Sequence, residues 1–195
     1  MLNNEQFIQT LNQTLKNGGV IAFVTDTVWG VGCLPTSEKG VEKIYNMKGR
    51  DRSKPLILMS NSVENMLPYV KFVPETAQKL INEHFPGALT IILKKSDLTP
   101  DFMTSGMDTV GIRVPDNKFF SQLCSVIEGD VLATTSANVS TMPSAKTYAE
   151  ANEYIGQDVD YIFEDCGHAC AGVESTVVLA KDDSVKILRQ GSVKI

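Results

Sequence analysis

The sequence predicts an α/β fold: a single domain over residues 1–195, built on a twisted mixed sheet with flanking helices. Three observations lead there. Segments with apolar residues at helical spacing alternate with short runs rich in Val, Ile and Leu that are bounded by turn formers. No internal repeat, low-complexity tract or linker-like stretch interrupts that alternation. At 195 residues, 43% hydrophobic and 21% charged, the chain has ordinary globular composition and is long enough to enclose one core.

Residues 4–17 place Phe7, Ile8, Leu11 and Leu15 on one helical face, and Gly18-Gly19 supplies a left-handed stop. The run 20–24 reads as a buried strand that delivers Thr25-Asp26-Thr27 to its end, ahead of Trp29-Gly30-Val31-Gly32. Small hydroxyls beside glycines at a strand exit let a ligand approach the backbone; the same residues also make an ordinary capped turn. Thr36 or Ser37 caps a helix to Asn46 with Val41, Ile44 and Tyr45 inward. A strand at 56–59 and a short helix at 62–67 follow. The next helix, 74–85, has Pro74 in its first turn and Ala77, Leu80, Ile81 and Phe85 toward the core, and Pro86-Gly87 breaks it.

Strands are then expected at 88–93 and 109–114, the second carrying Arg113 near its end. Asp116 caps a helix with Phe119, Phe120, Leu123, Val126 and Ile127 apolar, which Gly129 stops. Strand 131–135 runs into Ser136-Ala137-Asn138, and Thr147 with Glu150 forms a capping box for a helix to Ile155. Strands at 159–163, 176–180 and 185–188 close the chain.

The net charge of −5 argues against a protein that coats nucleic acid with a generally basic surface, while leaving room for a local basic cleft. The first residues lack a basic segment followed by an apolar run, and no apolar stretch approaches a membrane span. A soluble, cytoplasmic protein without membrane association is therefore expected. Cys33, Cys124, Cys166 and Cys170 have neither the density nor the spacing of a disulfide scaffold. Cys166-Gly167-His168-Ala169-Cys170 offers three soft metal ligands without a second pair elsewhere, so a loop with small thiols is the expectation and no protein metal site is assigned.

Chemistry concentrates in two stretches. Lys48, Arg50, Arg52 and Lys54 alternate, so in an extended conformation they project to one side at a spacing that suits neighbouring phosphates; a solvated basic loop uses the same residues. Thr134-Thr135-Ser136-Ala137-Asn138 follows a strand and presents hydroxyl and amide groups at its tip, with Ser140 and Ser144 extending the polar lining, although a structural turn reads alike. Neither Gly-x-x-x-x-Gly-Lys-Ser/Thr nor Gly-x-Gly-x-x-Gly occurs. With His84 and His168 the only imidazoles and no Gly-x-Ser-x-Gly, the inventory favours positioning and charge neutralisation over a protein nucleophile.

Seven segments in order carry a resemblance: Thr25-Asp26-Thr27-Val28-Trp29-Gly30, Lys48-Gly49-Arg50 with Lys54-Pro55-Leu56, and Phe85-Pro86-Gly87-Ala88-Leu89-Thr90. Asp108-Thr109-Val110-Gly111-Ile112-Arg113-Val114-Pro115, Ser136-Ala137-Asn138, Gly172-Val173-Glu174-Ser175-Thr176 and Leu188-Arg189-Gln190-Gly191 complete the set. Across nearly its whole length the chain resembles the threonylcarbamoyl-AMP synthases of the YrdC/Sua5 family, in the short single-domain form. The resemblance implies a YrdC-like sheet around a concave basic cavity, and a reaction in which L-threonine, bicarbonate or CO2, and ATP with Mg2+ give threonylcarbamoyl-AMP and pyrophosphate. It implies that the product feeds a downstream tRNA threonylcarbamoyl transferase complex in the N6-threonylcarbamoylation of adenosine 37, with direct tRNA contact left open.

By position, the resemblance implies that Lys48 and Arg50 are the catalytic pair. They bind ATP together with Ser136 and Asn138, while Thr109, Ser144 and Arg189 complete the nucleotide side and Arg52 and Lys54 help by proximity. Threonine falls to Thr25, Arg113, Thr134 and Ser175. The sequence departs from the family pattern at Val24, Trp29, Thr141 and Gln190. The first, second and fourth bear on packing, and Thr141 on the loop beside the nucleotide. Two other functions compete: an RNA-binding module using the same cavity, and carbamoyl-adenylate formation on another acceptor, a chemistry found in much longer enzymes. The acidic chain lacks an aromatic single-strand platform, which weighs against the first.

Overall fold

The alternation of apolar runs produces one mixed sheet. In the computed structural model, which describes residues 2–140, 142–165 and 167–195, the strands are β1 (Ile21–Phe23), β2 (Gly30–Cys33), β3 (Ile57–Ser60), β4 (Leu89–Lys94), β5 (Thr109–Arg113), β6 (Val131–Ser136), β7 (Tyr161–Ile162), β8 (Thr176–Ala180) and β9 (Val185–Arg189). They hydrogen-bond in the order β7-β1-β2-β6-β3-β5-β4-β8-β9. The pairs β1–β7, β3–β5 and β4–β8 are parallel and the others antiparallel. Around the sheet lie α1 (Glu5–Lys16), α2 (Glu38–Lys48), α3 (Glu75–His84), α4 (Asp101–Thr104), α5 (Lys118–Cys124) and α6 (Tyr148–Ile155), with a 3-10 helix at Glu64–Tyr69.

Local chemistry accounts for most helix ends. Asn4 caps α1 by accepting from Phe7 N, and Ser37, rather than Thr36, caps α2 by accepting from Gly40 N. Thr147 accepts from Glu150 N at the start of α6. The Glu150 carboxylate reaches one residue further back than a capping box requires, accepting from Lys146 N at 2.6 Å. Aromatic side chains of α1, β7 and α5 close one end of the core: Phe7 meets Tyr161 at 5.3 Å, Tyr161 meets Phe163 at 4.7 Å and Phe119 meets Phe163 at 5.3 Å between centroids.

Several expectations are corrected. Asn117, not Asp116, caps α5, because its carboxamide reaches Phe120 N at 2.9 Å; the helix ends at Cys124, short of Val126 and Ile127. Pro74 is the N-cap of α3 rather than a residue of its first turn, the 62–67 helix is a 3-10 helix, and α4 was not expected at all. Residues 30–33 are not a loop: they form β2, and a Cβ on Gly32 would stand 3.0 Å from Thr134 Cγ2 and 3.1 Å from Ala133 O. That glycine admits a neighbouring strand rather than a ligand.

The largest correction concerns residues 48–54. Lys48 is the last residue of α2, Gly49 turns the chain with φ 54°, and Asp51 then closes a turn by accepting from Ser53 N (2.9 Å) and Lys54 N (3.0 Å). No extended segment exists there, so the four cations cannot share one side by alternation.

Candidate functional site

The site is a cavity of about 470 Å³ on one side of the sheet, a volume within the range of small-molecule pockets. Register decides its floor. Met59 of β3 stands beside Arg113 of β5, Ile57 beside both Gly111 and Thr134, and Thr90 of β4 beside Val177 of β8. Alternation along each strand then keeps Ile57 with Met59, and Thr134 with Ser136, on the cavity side.

Lys48 forms one wall and is buried to 1% exposure. Its Nζ donates to Ser136 O at 2.5 Å, to Asn138 Oδ1 at 3.0 Å and to Asn138 O. Three acceptors match the three N–H groups of an ammonium. Burial first, and the neighbouring Arg50 second, push Lys48 down to about 7, against the opposing pull of Glu174. Asn138 also receives the Ser136 hydroxyl at 2.6 Å and donates to Val139 O and Met142 O, while Ser140 N donates to Lys48 O. Ser136 and Asn138 therefore close around one amine, tied to Val139, Ser140 and Met142.

Arg50 follows the left-handed turn at Gly49 and is fixed by donating to Lys54 O (3.1 Å) and Pro55 O (3.2 Å). Burial lowers its pKa, with Tyr45, Asp51 and Glu174 opposing, and the guanidinium keeps its charge. Lys54 lines the same wall. Arg52 does not: its guanidinium bonds Asn46 Oδ1 at 3.3 Å and lies over the Tyr45 ring, on the exposed side of the turn.

Arg113 also lines the cavity, is 2% exposed and is held by three acceptors. It donates to Asp26 Oδ1 at 2.5 Å, to Thr27 Oγ1 at 2.9 Å and to Gly87 O at 3.0 Å, the last supplied by the corner that includes the cis Phe85-Pro86 bond. Thr25 Oγ1 donates to Val28 O at 2.6 Å and shares a hydrogen bond with Thr27 Oγ1. Ser175 Oγ shares one with Thr90 Oγ1 at 2.8 Å, and Thr134 Oγ1 donates to Ile57 O at 3.3 Å. A cation that donates to one small hydroxyl, with others lining the same cavity, is suited to an amino-acid carboxylate with a hydroxyl side chain.

The mouth is closed by Arg189, which donates through Nε and Nη2 to Ser175 O and pairs through Nη1 with Glu174 Oε2. Ser144 Oγ donates to the other Glu174 oxygen at 2.6 Å.

The cavity thus brings together Lys48, Arg50, Ser136, Asn138, Ser144 and Arg189 with Thr25, Arg113, Thr134 and Ser175, and the two sets adjoin where Arg189 donates to Ser175. Two expected residues fall outside it. Arg52 points away, as described, and Thr109 stands at the start of β5, beside Lys94. Four residues separate Thr109 from Arg113, roughly 13 Å along a strand, so it cannot share the cavity floor. Thr27, Thr90 and Glu174 line the cavity or its rim without having been assigned to the site, and Trp29, read only as a departure that bears on packing, lines it too, although all four lie inside the quoted motifs.

The cysteines stand elsewhere. Cys33 and Cys124 are buried, which pushes Cys33 up to about 12 and raises Cys124 as well. Cys170 Sγ contacts Lys146 O at 2.9 Å, and Cys166 and Thr141 lie outside the described residues. Among the described residues no three His, Cys, Asp or Glu side chains converge as a metal site, and no helix is long and apolar enough to cross a membrane.

Comparison with known proteins identifies the fold and the family. The Sua5/YciO/YrdC family model, described as "Telomere recombination", matches residues 13–191. The threonylcarbamoyl-AMP synthase of Vibrio parahaemolyticus is 32% identical over 189 residues, covering 96% of this chain and 100% of the relative. Sua5 of Pyrococcus abyssi, solved in complex with L-threonine, superposes with a TM-score of 0.88 at 33% identity, covering 96% of this chain and 55% of that one. Escherichia coli YciO, at 24% identity and a TM-score of 0.84 over 96% of this chain and 90% of that one, shares the fold. With a family model spanning most of its length and a full-length relative above 30% identity, the chain belongs to the Sua5/YciO/YrdC family.

Proposed function

We propose that the chain is an L-threonylcarbamoyladenylate synthase. The observation that carries this reading is the pairing, within one cavity of about 470 Å³, of a wall of cations (Lys48, Arg50, Lys54) with a second wall in which Arg113 donates to Thr27 and is accompanied by Thr25 and Ser175. One wall suits a polyphosphate and the other an amino acid. Relatives that align over nearly the whole chain carry the name threonylcarbamoyl-AMP synthase.

The chemistry follows from that arrangement. The threonine amine attacks the carbon of CO2, supplied directly or from bicarbonate, and loses a proton to give a carbamate. A carbamate oxygen then attacks the α-phosphorus of ATP, and the bond to pyrophosphate breaks. Mg2+ travels with ATP as part of the substrate. Arg113 holds the threonine carboxylate so that the carbamate faces the nucleotide, and the buried wall excludes water from an intermediate that water would discharge. Lys48 and Arg50 offset the charge that develops on the leaving pyrophosphate. The overall step is a nucleotidyl transfer.

The product is an activated threonylcarbamoyl group, which we assign to a tRNA threonylcarbamoyl transferase complex in the cytoplasm for modification of adenosine 37. The deciding assay incubates purified protein with ATP, Mg2+, bicarbonate and L-threonine and reads the adenylate by mass spectrometry. Threonine-dependent product is expected. Equal product without threonine removes the substrate assignment, and tight tRNA binding with no product under any condition replaces the enzyme with an RNA-binding module.

A further inference from the structure

Glu174 is the only carboxylate among the described residues that line the cavity, a lining that also includes Lys48, Arg50, Lys54, Arg113 and Arg189. The two Glu174 oxygens are divided between donors from two chain segments. Oε1 takes the Ser144 hydroxyl from the loop before α6, and Oε2 takes the Arg189 guanidinium from the end of β9. The same carboxylate favours the charged forms of Lys48 and Arg50, so its field reaches those cations as well.

A guanidinium and a hydroxyl are the donors that a phosphate oxygen also takes. Only the side chain of Glu174 is free to yield them. Its backbone is clamped by Gly191, where an added Cβ would stand 2.2 Å from Glu174 O, whereas the side chain is 39% exposed and has room to turn outward.

We propose that Glu174 is an internal competitor of the polyphosphate: its carboxylate and an incoming phosphate claim the same Arg189 guanidinium and Ser144 hydroxyl, so binding of one requires release by the other. This rests on the nucleotide side of the cavity being where the proposed function puts it. Two consequences follow. An anion that reaches only the mouth gains little, because it must displace a carboxylate already in place; one long enough to reach Lys48 and Arg50 as well gains the balance. The carboxylate therefore selects polyphosphate over orthophosphate. On the product side, it reclaims its donors as pyrophosphate leaves, which weakens product inhibition.

Calorimetric titration of the full chain with inorganic pyrophosphate and with orthophosphate tests this. Glu174→Gln keeps the size of the side chain and removes the charge, so pyrophosphate is expected to bind roughly 5- to 30-fold tighter, a Coulombic gain at close range discounted for solvent screening. Orthophosphate gains at least as much, which narrows the selectivity. Glu174→Asp, whose shorter carboxylate cannot span both donors, shows a smaller gain in the same direction and carries the test if the Gln variant does not fold. Unchanged or weaker pyrophosphate binding in the folded variants makes Glu174 a positioning residue for Arg189 and overturns the competition. Absence of pyrophosphate binding in every protein overturns it too. The proposed activity fails separately: wild-type protein that binds pyrophosphate with the expected gain on mutation, yet makes no threonylcarbamoyl-adenylate, keeps the competitor and loses the reaction.

Discussion

Lys48 Nζ lies 3.0 Å from Asn138 Oδ1, joining the last residue of α2 to the loop after β6 across 90 residues of sequence. The amine is at once a structural post for that loop and a cation of the anion wall. Its removal takes the ammonium donor from Asn138 O and from Ser136 O, the second of which keeps the Asn138 N–H. Lys48→Ala is expected to abolish adenylate formation, by roughly 100-fold or more, and to cost about 1–3 kcal/mol of stability. Arg50→Ala is expected to lose activity equally with a smaller stability change, since its acceptors lie on an exposed turn. Mass spectrometry of the product together with thermal unfolding separates the two effects; wild-type turnover by both variants would remove the basic cluster from the mechanism.

The titration of Lys48 gives a pH signature. In the folded chain the amine titrates near 7 against an ordinary value of 10.5. Between those values the unfolded chain binds the extra proton, so the Lys48 contribution to stability rises as pH rises from 7 to 10.5 and is lost as pH falls back. Anion binding runs the other way: pyrophosphate affinity is expected to weaken as pH climbs through about 7. Lys48→Arg, whose guanidinium stays charged, should flatten that step relative to wild type in parallel calorimetric titrations. Identical pH profiles would show that Lys48 keeps its proton throughout.

Arg113 depends on fork geometry rather than charge alone. Lysine cannot reproduce donation to Asp26, Thr27 and Gly87 from one rigid plane. Arg113→Lys should raise the KM for threonine roughly tenfold with a smaller effect on the KM for ATP, and cost about 2 kcal/mol in chemical denaturation. Equal effects on both substrates would contradict its assignment to the amino-acid wall.

Gly191→Ala tests the clamp behind the cavity mouth. The new methyl would stand 2.2 Å from Glu174 O and 2.5 Å from both Ser175 C and Thr176 N, contacts with backbone that cannot swing aside. A loss of about 2–3 kcal/mol in calorimetric unfolding is expected, with weaker ATP binding because Arg189 moves with its neighbour. An unperturbed melting temperature would mean that β8 and the 190–191 segment separate at little cost.

Periodic apolar runs, turn formers and short polar caps are local signals, and they were legible. The residues that form α1, α2, α3, β8 and most other elements could be read within a few positions, because burying one face of a helix or strand needs a repeating pattern that no other arrangement satisfies. Caps were less legible: Thr147 was found, the α2 cap was left between Thr36 and Ser37, and at α5 Asp116 and Asn117 offer the same chemistry, where only backbone direction selects Asn117.

The sequence by itself determined the α/β class, the family motifs and most of the side chains that meet in the cavity, since their types and order are written along the chain. Tertiary structure decided which cations face inward. Alternation at 48–54 put four on one side, yet the left-handed turn at Gly49 sends Lys48 and Arg50 into the cavity and leaves Arg52 on the surface. It also decided that Thr109 stands away from Arg113 on the same strand and that Glu174 bridges Ser144 and Arg189. The physical reason is shared: sheet register and a single positive φ set directions for side chains tens of residues apart, and neither leaves a trace in composition or spacing.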